Sequence, residues 1–256
     1  WTFHGEEYVA GANWDFNKDI DLWGDQPGVT LDQDGRVVGL NLSGFGAEGV
    51  VPEAIGQLTE LQTLYLGNDN EYIGGYSDTN SGRISALDYY NRALKRDVRQ
   101  DLTPELQRIM MTDKERDAMY KAERKDVAFG NLTNGITGIS RAMMRLTKLE
   151  QLFIANSPIT IEGFFVPVGA ESPYYAEQES WSWAEMDMLL DLEIYNCPNL
   201  THLPCELLTG LPKLQSLNVA MNQGITGDQL LEDWKAIIEG NAGGEIQILY
   251  LGFNNL

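Results

Sequence analysis

Few residues in this sequence are equipped for covalent or metal chemistry. Histidine occurs only at positions 4 and 202, and cysteine only at 197 and 205. A cysteine nucleophile needs a base arranged in space and a depressed pKa, and the short sequence separation of Cys205 from His202 supplies neither. No H-E-x-x-H, G-x-S-x-G or G-x-x-x-x-G-K-[ST] is present. Asp15, Asn17, Asp19 and Asp21 alternate like the start of a calcium loop, but Ile20 fills the slot that needs glycine and Gln26 the slot that needs glutamate. The expectation is a chain that is not an enzyme, with no cofactor and no metal. Two cysteines are also too few for a disulfide framework.

Binding chemistry is better supplied. Tyr65, Phe153, Glu193, Tyr195, Asn218 and Tyr250 recur at matching places in a repeated pattern, and the segment FFVPVGAESPYYAEQESWSW adds Trp181 and Trp183. Aromatic rings offer a large contact area at low entropic cost, and carboxylates beside them suit sugars or peptides. Each also has a plainer use: inner rings can be buried by insertions, and loop aromatics can anchor a segment that has no helix of its own.

These residues are brought together by an internal repeat. Six copies of a strand motif begin at Val37, Leu61, Leu149, Leu189, Leu214 and Ile246, and the last, IQILYLGFNNL, fits L-x-x-L-x-L-x-x-N-x-L, the leucine-rich-repeat pattern. Each unit has one short strand whose apolar side is covered only by stacking on neighbours. Alternation turns the intervening residues to the other face: Asn41, Tyr65, Phe153, Glu193, Asn218 and Tyr250 in one row, and Ser43, Gly67, Ala155, Tyr195, Ala220 and Gly252 in the next. The slot after the strand holds Asp69, Ser157, Cys197, Asn222 and Asn254 in successive copies, where side chains must satisfy backbone groups as the chain turns away.

The spacers VVPEAIGQLTEL, GISRAMMRLTKL and HLPCELLTGLPKL resemble the outer-side motif LxGxIPxxLxxLxxL of plant-type leucine-rich-repeat proteins. The stretch NWDFNKDIDLWGDQPGVTLDQDGRVVGLNLS is similar to their N-terminal cap. Leu31 stands where that cap has a cysteine, and this combination is more similar to bacterial surface or lipid-anchored proteins of the Bacteroidetes type. The resemblance covers roughly residues 13 to 70 and 130 to 256. It implies an α/β fold: a right-handed leucine-rich-repeat solenoid with a parallel concave sheet. The N-terminal cap would occupy residues 1–36 and the repeat domain 37–256. Asp34-Gly35 is the turn of a cap hairpin.

Repeat starts are 24, 88, 40, 25 and 32 residues apart, so three repeats are overlong. The largest excess, at about 71–130, reads as a helical insertion: Thr103-Pro104 supplies a cap and a first-turn proline, and Thr112 with Glu115 a capping box. Leu106, Ile109, Met110, Met119 and Phe129 are its candidate contacts with the solenoid. The second, an aromatic loop at about 160–186, is expected to leave the repeat just after its turn, on the same rim as the first. The third falls in DQLLEDWKAIIEGNAGGE, a lengthened outer helix.

The formal charge of −20 excludes nucleic acid as the expected partner, since phosphate binding needs a clustered basic surface. Residues 83–125 nevertheless hold eleven Lys or Arg against eight Asp or Glu. There is no run of 18 apolar residues, so no membrane span is expected. A start at Trp1 and a stop inside the sixth copy lead us to expect further sequence at both ends. The sequons at Asn41, Asn131 and Asn199 are expected to be chance matches. The resulting expectation is protein or peptide recognition by a cell-surface, periplasmic or secreted bacterial protein, using the inner sheet and the insertions. Glycan capture at the aromatic loop, or a structural spacer, are the alternatives.

Overall fold

The computed structural model describes residues 17, 19, 24, 26, 28–42, 47–67, 135–239, 245–252, 254 and 255. The helical insertion expected at 71–130 and its five contact residues lie outside them, as do Asp15, Asp21, Asp69 and Asn131.

Among the described residues the first strand is β1 (Val29–Leu31), which pairs antiparallel with β2 (Val37–Asn41). The turn falls where Asp34-Gly35 predicts it. Gly35 takes φ 77°, and Asp32 Oδ1 accepts the backbone N–H groups of Asp34 and Arg36 at 2.9 Å each. From β2 onward the large sheet is parallel: β4 (Thr63–Gly67), β6 (Gln151–Ala155), β7 (Asp191–Tyr195), β8 (Ser216–Asn218) and β9 (Ile248–Tyr250) follow in spatial order. β3 (Gly49–Val51) and β5 (Ile136–Ile139) form a separate parallel pair. Parallel neighbours need a crossover, and here it is the outer half of each repeat.

Register follows the repeat. Leu40, Leu64, Leu152, Leu192, Leu217 and Leu249 stand abreast. The four central leucines of this column are completely buried, and Leu42, Leu66, Ile154, Ile194 and Val219 form a second buried column. Burying each such side chain contributes roughly 1.5–3 kcal/mol. Leu249, on the edge strand, remains 39% exposed.

Outer segments supply the opposite wall of this core. Helical turns at Glu53–Gln57, Arg141–Arg145 and Trp183–Glu185, and helix α1 (Cys205–Thr209), each deliver apolar residues at a spacing of three: Ile55-Leu58-Leu61, Met143-Leu146-Leu149, Trp183-Met186-Leu189 and Leu208-Leu211-Leu214. In every set the later amide donates to the carbonyl three residues before it. The lengthened helix expected in this repeat is α2 (Gly227–Glu239), and it packs on α1; Thr226 Oγ1 accepts the Gln229 N–H at its start.

Candidate functional site

The sheet face turned away from the core carries the rows expected from alternation: Asn41, Tyr65, Phe153, Glu193, Asn218 and Tyr250 are in register. This face is not an open groove. Tyr65 is 9% exposed, Phe153 0%, Glu193 3%, Tyr195 4% and Asn218 3%. Tyr65 and Phe153 meet edge to face with ring centres 4.4 Å apart, and the Tyr65 hydroxyl donates to Gln151 Oε1 at 3.0 Å. Asn218 Nδ2 donates to Glu193 Oε2 at 3.3 Å. Asn41 and Tyr250, at the two ends of the row, remain half-buried. Of the two uses weighed for these rings, an open aromatic patch or rings covered within the molecule, the burial matches the second. These residues lie together, as read, but inside the molecule.

The turn after the strands is held by side chains, as expected for that slot. Asn156 and Asn196 take φ values of 49° and 50°, a left-handed conformation that asparagine tolerates better than most residues, and Asn196 Nδ2 donates to Asn156 Oδ1 at 2.8 Å. One residue later in the repeat, Cys197, Asn222 and Asn254 form a ladder, and Ser157 holds the equivalent slot of the preceding unit. Asn254 Oδ1 accepts the Asn222 N–H at 2.7 Å, and Ser157 Oγ donates to the Ala155 carbonyl.

The aromatic segment lies elsewhere than expected. Val166 pairs with Ser140, the residue at the start of the preceding repeat's outer turn. Counting back equally from Leu149 and Leu189 equates Ser140 with Ser180, so the residues by which this repeat is overlong are 167–180. They leave from the outer side after Val166, not at the Asn156 turn. Trp183, read as a loop residue and binding candidate, is a core residue in the column of Ile55, Met143 and Leu208, and it is 3% exposed. The sequence signal was available: WAEMDMLL has the apolar spacing of the other spacers, but the tryptophan in a slot usually aliphatic hid it.

The outer loop is a fixed structure. Gln178, itself 4% exposed, accepts the Val168 N–H through Oε1 at 3.0 Å and donates to the Val168 carbonyl through Nε2 at 3.4 Å, closing the loop like a strand pair. Arg145 lies over the Tyr174 ring with 4.3 Å to its centre, and Trp181 approaches Tyr174 at 6.2 Å. Tyr175 points outward and is 51% exposed. Trp181 packs partly against the core. The Arg145 guanidinium covers one aromatic face that a sugar would need.

Around Cys205 the geometry disfavours nucleophilic chemistry. Burial, followed by the nearby Asp233 carboxylate, raises its thiol to about 11, so it stays protonated at neutral pH. Asp233 is committed to structure: its Oδ2 accepts the Leu203 N–H at 2.8 Å and its Oδ1 accepts from Gln229 Nε2 at 2.9 Å. His202 Nδ1 stands 3.6 Å from the same Oδ1. Among the described residues no cluster of three His, Cys, Asp or Glu is placed to hold a metal, and no helix is long and apolar enough to cross a membrane.

Comparison with known proteins agrees with the architecture. A family model described as Leucine-rich repeat matches residues 1–42. No curated protein matches the chain. It is similar to the crystal structure of a leucine-rich repeat protein from Bacteroides eggerthii DSM 20697, at 39% identity and a TM-score of 0.71, covering 98% of this chain and 43% of that one. It is also similar to a leucine-rich repeat protein from Bacteroides thetaiotaomicron VPI-5482, at 39% identity and a TM-score of 0.73, covering 99% of this chain and 33% of that one. The chain thus spans less than half the length of either. Proteins of this fold generally mediate protein recognition and are typically not enzymes. From its repeat, its solenoid and these likenesses, the chain belongs to the leucine-rich-repeat proteins, with solved relatives in Bacteroides.

Proposed function

We propose that this chain is a noncovalent protein- or peptide-recognition module of a bacterial cell-envelope or secreted protein. The observation that carries the reading is the outer loop at 167–181: a rigid segment, closed by Gln178 and braced by the Arg145–Tyr174 stack, that holds Tyr175 out to solvent. Pre-organised aromatic and arginine side chains are what interface hot spots are made of, because little entropy is lost when they are covered. Tyr65, Phe153, Glu193, Tyr195 and Asn218, buried on the sheet face turned away from the core, would serve the scaffold on which the loop is mounted. Tyr250, half-buried on the last strand, and Trp181 complete the surfaces that meet a partner. The envelope or secreted location rests on the sequence resemblance alone.

Selection from a random peptide library, followed by calorimetric titration of the enriched peptides, tests the reading. A recognition module yields a consensus that binds saturably with one-to-one stoichiometry and weakens when Tyr175 or Trp181 is changed to alanine. Peptides without a consensus, or binding untouched by both changes, would refute it.

A further inference from the structure

We infer that the surface around Tyr175 takes a basic segment of a partner protein, one that presents lysine or arginine side chains to it. The inference rests on the recognition reading and adds the chemistry of the partner. From Leu149 to Pro212 the sequence contains no lysine or arginine at all. Within that stretch Glu171, Glu177, Glu179 and Glu185 are exposed around the braced loop, and among the described residues none of the four has a cationic partner. Nearby Asp187 is already paired with Lys213 at 3.5 Å. Arg145 is laid over Tyr174 and belongs to the loop's frame.

The surface therefore combines two features that suit a guanidinium or ammonium group. Tyr175 offers an exposed ring, and a cation over such a ring gains attraction from its quadrupole. The unpaired carboxylates add a negative field that raises the encounter rate and rejects acidic partners. An apolar partner would leave four carboxylates uncompensated at the rim. A nucleic acid would be repelled.

The test is titration of the full chain with two synthetic peptides of equal length on a Gly-Ser frame, one carrying arginines and the other glutamates, at low and at moderate salt. The arginine peptide is expected to bind saturably and more weakly as salt rises, and the glutamate peptide not to bind. Changing Tyr175→Ala, or Glu171→Gln with Glu177→Gln and Glu179→Gln, is expected to weaken the arginine peptide about tenfold. A charge-matched control, Glu206→Gln with Asp228→Asn and Glu232→Gln, is expected to leave it unchanged within error. Equal weakening by both triple variants would mean that only the net charge of the chain is felt, and would overturn the inference. So would a dimer that Tyr175→Ala dissolves, since the surface would then belong to a second copy. Library selection that returned a consensus lacking lysine and arginine, still dependent on Tyr175, would defeat the inference while leaving the recognition reading intact.

Discussion

Asn222 Oδ1 accepts the backbone N–H of Cys197 from the preceding repeat at 2.7 Å, while Asn222 Nδ2 donates to the carbonyls of Ile194 and Val219 at 2.7 and 2.9 Å. One fully buried side chain thereby ties two consecutive turns together. Buried backbone groups at a turn have no strand partner and no water, so the amide of this asparagine takes the place of both.

Asn222→Ala leaves the Cys197 N–H and carbonyls on both sides without their partner. Each buried group left unsatisfied costs about 1–3 kcal/mol, so the variant is expected to lose at least ~2 kcal/mol in urea unfolding. Asn254→Ala, at a half-buried rung, is expected to lose less.

Trp181 and Trp183 are expected to separate sharply. Trp183→Ala opens a cavity among Met186, Leu189 and the outer wall, at about 3–5 kcal/mol. Trp181→Ala removes a half-buried ring and is expected to change stability by a smaller amount while weakening partner binding. Paired unfolding and titration curves distinguish these outcomes.

Gly67 ends β4 with φ 102°, and a Cβ there would lie 1.9 Å from the Ala155 carbonyl oxygen. Gly67→Ala must therefore push two adjacent strands apart, a cost on the order of 3 kcal/mol or more. A lowered Tm measured by calorimetry checks it.

Cys205 is expected to resist iodoacetamide at neutral pH and to react faster as the pH climbs toward 11, where the thiolate forms. The same upward shift means that its contribution to stability is present below the unfolded thiol's value of 9.0 and is lost as pH rises from there through about 11. Acid acts in the opposite direction. Asp32 is held low chiefly by the Arg36 backbone N–H and Glu60 by the Lys148 ammonium, so their contributions are present above ordinary carboxylate values and are lost as pH falls below them. Alkylation rates against pH, with folding followed in parallel, test both signs.

The regular part of the molecule was readable because a strand repeats every two residues and a solenoid repeats every unit. Leu64, Leu152, Leu192 and Leu217, the rows opposite them and the Asn222 slot all follow from counting. The hairpin at Asp32–Arg36 was readable because few residues accept the φ of Gly35. What counting misses is depth and path. The burial of Phe153 and Glu193 depends on what lies over the sheet, which alternation does not encode. The exit of residues 167–180 after Val166 depends on a single bridge to Ser140 between residues far apart in sequence. Trp183 was misplaced for a related reason: a large aromatic in an aliphatic column resembles a binding residue until its neighbours are known.

The most direct measurement is hydrogen–deuterium exchange of the chain with and without a library-selected peptide. Recognition through the outer loop predicts added protection within residues 167–185, with strands 63–67, 151–155 and 191–195 unchanged. Protection confined to those strands, with the loop exchanging as before, would contradict it.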